Sequence, residues 1–191
     1  FFFYCLMSLG EVCPRIGSLD FIKGDPVDVQ QLIDSGNIVV LELFATWCGP
    51  CHQCIPHVSE LQRKYPQVTF IAVSCFATTR DTRDKIQGFV SQYNNQIIYK
   101  VASDTNDSLG VLRNKYRVQG IPHAFVIADG KVQYSGHPVE SSFASTIEQY
   151  VNLSQKKDKL NKINEITEEQ LKNSSIKELK QILSDMRVSP E

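Results

Sequence analysis

The stretch Ile38-Val-Val-Leu-Glu42-Leu-Phe-Ala45, followed at once by Thr46-Trp47-Cys48-Gly49-Pro50-Cys51, decides how this chain is read. Its first eight residues are apolar apart from Glu42, the pattern of a central strand covered on both faces. A helical period follows. From Cys51 to Lys64 the residues Ile55, Val58, Leu61 and Tyr65 recur at three and four, and Pro66 ends the run. The two cysteines therefore stand where a strand turns into a helix. The first amides of a helix lack intrahelical acceptors and carry the positive end of its dipole. A thiolate there is stabilised, so its pKa falls and more of it is nucleophilic at neutral pH. Cys48, at the helix start, is expected to be the exposed attacking thiol. Cys51, three residues on and facing inward, is within reach to close a small disulfide loop. Gly49 and Pro50 make the turn between them, with Pro in the first helical turn, where its missing N–H costs little.

Working outward, Val68–Cys75 reads as a second buried strand and Thr82–Tyr93 as a helix carrying Ile86, Phe89, Val90 and Tyr93. Ile97–Val101 reads as a short strand and Asp107–Tyr116 as another helix. His123–Ala128 and Lys131–Ser135 form a hairpin, because Asp129-Gly130 supplies the positive backbone angles of a two-residue turn. Phe143, Ile147, Tyr150 and Val151 mark a final helix. Strands alternating with helices, then a hairpin and a helix, predict an α/β sandwich with an antiparallel edge. No repeat and no low-complexity segment interrupts the pattern.

Two further features bear on chemistry. Glu42 sits in a strand that otherwise looks wholly buried, where an ionised carboxylate is costly and its pKa is pushed toward neutrality. Such a group is suited to take the Cys51 proton as Cys51 attacks a mixed disulfide, and to return it later. The alternative is a carboxyl facing a polar cavity or an edge, with no chemical part. Cys48, Cys51 and Cys54 also form Cys-x-x-Cys-x-x-Cys, a spacing used for iron–sulfur clusters, with His52 and His57 nearby on the same helix. A cluster or structural zinc wants a fourth ligand, and no second Cys pair exists. Metal binding thus stands as the competing reading. The plainer view of Cys54 is a small apolar residue on the buried helix face.

Composition sets the outer bounds. The chain has 191 residues, 42 % hydrophobic and 21 % charged, enough for one ordinary domain and a remainder. Its 20 Lys and Arg nearly cancel 21 Asp and Glu, so no global field draws nucleic acid or an anionic membrane. No apolar run is long enough to cross a bilayer. Phe1–Leu9 is nearly all apolar and reads either as a signal remnant or as an extension docked on the fold. From Gln155 onward the chain carries eight basic and seven acidic residues and no aromatic ring. There Ser154–Lys162 reads as a charged linker. Capping boxes at Thr167–Gln170 and Ser175–Glu178 then start two short amphipathic helices, the second with Ile176, Leu179, Ile182, Leu183 and Met186 as its stripe. The expected organisation is an N-terminal apolar segment (1–14), a main domain (15–153) and a charged tail (154–191).

Trp47-Cys48-Gly49-Pro50-Cys51 after a buried strand, with Val118-Gln-Gly-Ile-Pro122 some seventy residues later, resembles the thioredoxin superfamily over roughly Asp20 to Val151. The resemblance implies a thioredoxin fold: a central mixed sheet flanked by helices, here with a small C-terminal helical extension. It implies that Ile121-Pro122 holds the family's cis-proline facing the two cysteines. With Trp47, Gly49 and Pro50, that peptide would receive an extended substrate. It places Glu42 at the buried acid and Gly136 at the glycine after the hairpin. The longer stretch between Cys75 and Val118 is similar to the TlpA/ResA branch, the tryparedoxins and the nucleoredoxins. No lysine to pair with the acid is evident near Val73 and Ser74, and His123 follows the proline where thioredoxins often have Thr. No Gly-Gly pair follows the hairpin as in glutaredoxins. The tail around Ser175–Val188 faintly resembles SAP-type helices.

The leading expectation is a thiol–disulfide oxidoreductase, specifically a protein disulfide reductase. Cys48 attacks a substrate disulfide and Cys51 resolves the mixed disulfide. By resemblance, Gly-Pro between the cysteines belongs with reductants such as thioredoxin, at about −270 mV, rather than oxidants near about −120 mV. The alternatives are a thioredoxin-fold interaction module and the metal binder. Expected partners are protein disulfide substrates, an upstream thiol reductant and a protein for the C-terminal helices. Nucleic acid, a bound nucleotide or other cofactor are not expected, and neither is an oligomer. A reducing, cytoplasmic setting would leave Cys5, Cys13 and Cys75 as free thiols. If the N-terminus is a signal remnant, a secretory or organelle lumen is implied, and a Cys5–Cys13 pairing is the alternative to free thiols there.

Overall fold

The computed structural model describes residues 9–76, 80–164, 178 and 180. Contacts divide the chain into two compact units, Phe1–Tyr150 and Val151–Glu191, and the site lies in the first. The backbone runs β1 (Glu11–Val12), β2 (Asp20–Lys23), α1 (Val29–Asp34), β3 (Val39–Phe44), α2 (Gly49–Lys64), β4 (Thr69–Ser74), α3 (Arg83–Gln92), β5 (Lys100–Ser103), α4 (Gly110–Lys115), β6 (His123–Ala128), β7 (Lys131–Gly136) and α5 (Ser141–Asn164).

One seven-stranded sheet has the order β1-β7-β6-β3-β4-β5-β2. β3, β4 and β5 are parallel; β6 runs antiparallel to β3, and the edges are closed by antiparallel pairings of β7 with β1 and of β5 with β2. This is the thioredoxin fold, a mixed sheet with helices on both faces. Side chains alternate along a strand, so β3 serves two cores. Val39, Leu41 and Leu43 join Ile71, Val73, Phe125 and Ile127 in a cluster covered by Val29 and Ile33 of α1 and Leu112 of α4. Val40, Glu42 and Phe44 point to the other face, where Phe44 packs on Phe89 of α3 at 5.5 Å. On that same face Tyr134 meets Phe143 of α5.

Several boundaries differ from the sequence reading, each for a physical reason. The strand expected at Ile97–Val101 lies at Lys100–Ser103, because β5 is set by its ladders to Ile71–Ser74 and to β2. Ile97 and Tyr99 are buried but precede it in an irregular segment. The helix expected from Asp107 starts at Gly110; Asp107 has φ of 53°, and the buried Asp104 carboxylate accepts the Ser108 and Leu109 N–H groups instead. Ser154–Lys162, read as a linker, is helical: α5 continues to Asn164, since neither Gly nor Pro interrupts its Gln, Lys, Asp and Leu. β1, β2 and α1 had no clear period because they are two, four and six residues long. The tail helices lie outside the described residues, apart from exposed helical positions at Glu178 and Lys180, and so does Phe1–Leu9 except Leu9. Among the described residues, no helix is long and apolar enough to cross a membrane.

Candidate active site

Parallel β3 and β4 end at the same edge of the sheet, and antiparallel β6 begins there, with Leu43 opposite His123 and Phe44 opposite Ser74. Three parts of the chain therefore meet: 45–48 after β3, Cys75 and Phe76 after β4 with 80–82 before α3, and the approach to β6 that ends in Ile121-Pro122. The Ile121-Pro122 peptide bond is cis, Pro122 is buried and Ile121 half-buried.

Cys48 and Cys51 form a disulfide with Sγ–Sγ 2.05 Å and Cα–Cα 5.3 Å. Cys48 is the N-cap of α2, and its Sγ accepts the Cys51 N–H at 3.2 Å. That N–H, which also donates to the Cys48 carbonyl at 3.1 Å, thus faces the sulfur, an arrangement that favours a thiolate once the bond is reduced. Gly49 and Pro50 form the exposed first turn. Cys48 is not the exposed sulfur that the sequence suggested. In this oxidised form the whole Cys48 residue is 6 % accessible against 3 % for Cys51, so both are buried.

Trp47 is 48 % exposed beside the pair. Its ring meets Phe76 edge-on at 5.4 Å, and the Arg80 guanidinium lies over it at 5.3 Å. The turn before it is held from both sides. Buried Asp81 accepts the Thr46 N–H at 2.8 Å, the Thr46 hydroxyl at 2.5 Å and the Ser74 hydroxyl at 2.9 Å. The Thr46 carbonyl is 2.9 Å from His52 Nε2, whose ring packs on Phe89 and Tyr93. Asp81 was not singled out in the sequence, where Arg80-Asp81-Thr82-Arg83-Asp84 looks like a solvated helix start; only the β4 crossover carries it under Thr46. His52 turns out to brace this loop.

Glu42 is 3 % exposed, and burial raises its pKa from 4.5 to about 8. It lies opposite Ala72 of β4 and Ala124 of β6, and it lines a small cavity shared with Cys51. The structure thus brings Glu42 to Cys51 on the α2 face. Cys54 is buried, its thiol donating to the Pro50 carbonyl at 3.4 Å, and burial and then the nearby Glu42 push its pKa up to about 12. It packs as a neutral side chain. Among the described residues, no three His, Cys, Asp or Glu side chains converge as metal ligands. Cys13 and Cys75 are free thiols raised to about 11, chiefly by burial, and Cys5 lies outside the described residues. His123 is half-buried, with Nε2 2.9 Å from Ser135 Oγ, and burial holds its pKa below 6.5, so it acts as a neutral hydrogen-bonding group. Gly136 ends β7 where a Cβ would fall 2.6 Å from the Tyr134 hydroxyl.

A vicinal cysteine pair capping the helix that follows a central strand, beside a cis-proline and above a buried acid, defines a dithiol–disulfide site on a thioredoxin fold. Comparison with known proteins agrees. Residues 36–132 match the family described as Thioredoxin-like. ResA of Bacillus anthracis, a thiol–disulfide oxidoreductase, is 30 % identical over 128 residues, 66 % of this chain and 68 % of ResA. An H-type thioredoxin of Fagopyrum esculentum is 48 % identical over 44 residues, 23 % of this chain and 38 % of that protein; a second thioredoxin, from Aspergillus fumigatus, is likewise matched over less than half its length. A Chlorobium tepidum structure assigned as a thiol:disulfide interchange protein DsbE superposes with a TM-score of 0.58 at 26 % identity, covering 76 % of this chain and 96 % of that one. StoA of Bacillus subtilis shares the fold, with a TM-score of 0.54 at 17 % identity over 74 % of this chain and 99 % of its own. The chain belongs to the thioredoxin-like family of thiol–disulfide oxidoreductases, of the ResA-like type.

Proposed function

We propose that this chain is a protein disulfide reductase that cycles Cys48 and Cys51 between dithiol and disulfide. The observation that carries it is the disulfide at the start of α2, with Cys48 Sγ on a helical N–H. In the reduced protein the Cys48 thiolate attacks one sulfur of a substrate disulfide. A Cys48–substrate bond forms, and the other substrate sulfur leaves as a thiolate. Cys51 then gives its proton to Glu42 and attacks Cys48 Sγ, so that the second substrate thiolate is expelled and the Cys48–Cys51 bond closes. Two electrons pass from the dithiol to the substrate, and an external thiol reductant restores the pair.

The exposed Trp47 ring and the edge at Ile121-Pro122 would receive an extended peptide around its cystine, with backbone contacts favouring breadth over sequence. Gly49 and Pro50 keep the Cys48 side of the helix end free of bulk. The reductive direction is supported by the Gly-Pro pair between the cysteines, which this chain shares with reducing thioredoxins.

The test is equilibration of the pair against a glutathione buffer, together with turnover of insulin disulfides by wild type and Cys48→Ser. A potential near about −270 mV, with turnover lost in Cys48→Ser, is the expected result. A potential near about −120 mV would reverse the direction. Absence of any redox-active pair would remove the oxidoreductase reading for this chain.

A further inference from the structure

Beneath the disulfide, α2, β3, β4, α3 and the segment entering β5 enclose a cavity with about 10 Å³ open to the centre of a water molecule. Its wall is mostly hydrocarbon, Ile55, Ala72 and Phe89 among it, and three lining side chains carry a hydrogen-bonding atom: Glu42, Cys51 and Tyr99. A space of roughly 10–15 Å³ with two to four polar partners is what one buried water requires. Tyr99 is 4 % exposed. Burial, and then the neighbouring Glu42 and Cys54, raise its pKa well above 10, so its hydroxyl stays protonated and serves as a donor throughout the working range. A carboxylate buried among hydrocarbon needs such a donor, because an unpartnered one is expensive.

We propose that Tyr99 is a positioning residue for the resolving step: with Glu42 its hydroxyl holds one water molecule that hands the Cys51 proton to the carboxylate. The proposal rests on Glu42 being the proton acceptor and adds what holds the path open. The Cys51 S–H proton passes to the water as the water gives one of its own to Glu42. The freed sulfur bonds to Cys48 Sγ, and the Cys48–substrate bond breaks with its electron pair leaving on the substrate thiolate. Tyr99 keeps its proton and donates a hydrogen bond to the water. This donor stabilises the ionised form of Glu42 through the water and opposes the desolvation that raises its pKa.

The titratable groups facing the carboxyl are few. Cys51 and Cys54 come from α2 and Tyr99 from the segment before β5, while β4 and α3 offer Ala72 and Phe89. Cys54, raised to about 12, and Tyr99 therefore keep their protons across the range in which Glu42 titrates.

The experiment uses the full reduced chain and dithiobis(nitrobenzoate), an aryl disulfide that releases one coloured thiolate when Cys48 attacks and a second when Cys51 resolves. Tyr99→Phe removes only the hydroxyl. The expected result is an unchanged first phase and a second phase about tenfold slower at neutral pH, its midpoint displaced upward by about one unit. Ala72→Val, which fills the cavity from β4 and leaves both Tyr99 and Glu42 in place, should slow the second phase in the same way, and it carries the test if Tyr99→Phe fails to fold. Second phases of wild-type rate and midpoint in these variants overturn the proposal. Glu42→Gln separates the two ideas. If it slows resolution and removes the midpoint while Tyr99→Phe changes nothing, Glu42 stands and Tyr99 falls. If it leaves the second phase untouched, the acceptor role of Glu42 falls and the water path with it.

Discussion

Replacing Glu42 by Gln should remove a pH dependence from the stability of the oxidised protein, and the size of the change follows from where the carboxyl sits. Burial raises its pKa from 4.5 to about 8 in the folded chain, while the unfolded chain titrates at the ordinary value. Between these values the folded state keeps a proton that the unfolded state has released. The stability so contributed is fully present below the unfolded pKa and is lost as pH rises through the folded one. The slope is about 1.4 kcal/mol per pH unit, and the total across the window is on the order of 3–5 kcal/mol. Urea unfolding of wild type and Glu42→Gln, with the disulfide intact, from about pH 5 to 9 reads it directly, and other titrating groups cancel in the difference. Relative to wild type, Glu42→Gln should gain stability with each pH unit up to about 8 and then level off. A difference that stays constant over this range would refute the reasoning. The carboxyl would then titrate alike in both states, and a group so well solvated has no reason to hold a proton for Cys51.

Two other substitutions test the frame around the cysteines. Asp81→Ala strands the Thr46 N–H, the Thr46 hydroxyl and the Ser74 hydroxyl in a buried place, and should cost about 3 kcal/mol by urea unfolding; Asp81→Asn, which keeps an acceptor, should cost less. Gly136→Ala drives a Cβ to within 2.6 Å of the Tyr134 hydroxyl, which is fixed by bonds to the His137 carbonyl and Glu140. A loss of about 1–3 kcal/mol is expected, partly recovered in the double variant with Tyr134→Phe.

The strand–helix junction was legible because everything it needs is local. The apolar run 38–45, the three-and-four spacing through Tyr65, and cysteines one turn apart specify a covered strand, a helix and a sulfur at its start. The hairpin was legible for the same reason: Asp129 and Gly130 adopt φ of 51° and 71°, the conformation that an Asp-Gly turn requires. The placement of Pro122 opposite the end of β3 came from resemblance, and the Leu43–His123 register supplies its structural cause. Where local signals were weak, the reading slipped. Lys100–Ser103 is a strand because two neighbours bond to it, and Ser154–Lys162 is helical because a highly charged run of good helix formers has the same composition as a linker.

By itself, then, the sequence determined the strong local periods: the covered strand at 38–45, the helix that follows it, the Asp129-Gly130 hairpin, and that Cys48 and Cys51 sit at one helix end. Tertiary structure alone decided what stands next to what. Asp81 reaches Thr46 from 35 positions away, and Tyr99 lines one cavity with Glu42 and Cys51 because the β4 and β5 crossovers stack their strands beside β3. Burial patterns record that a side chain leaves water, and not which groups replace the water around it. The pKa of Glu42 and the partners of Asp81 depend on those groups, and they exist only once the sheet has assembled.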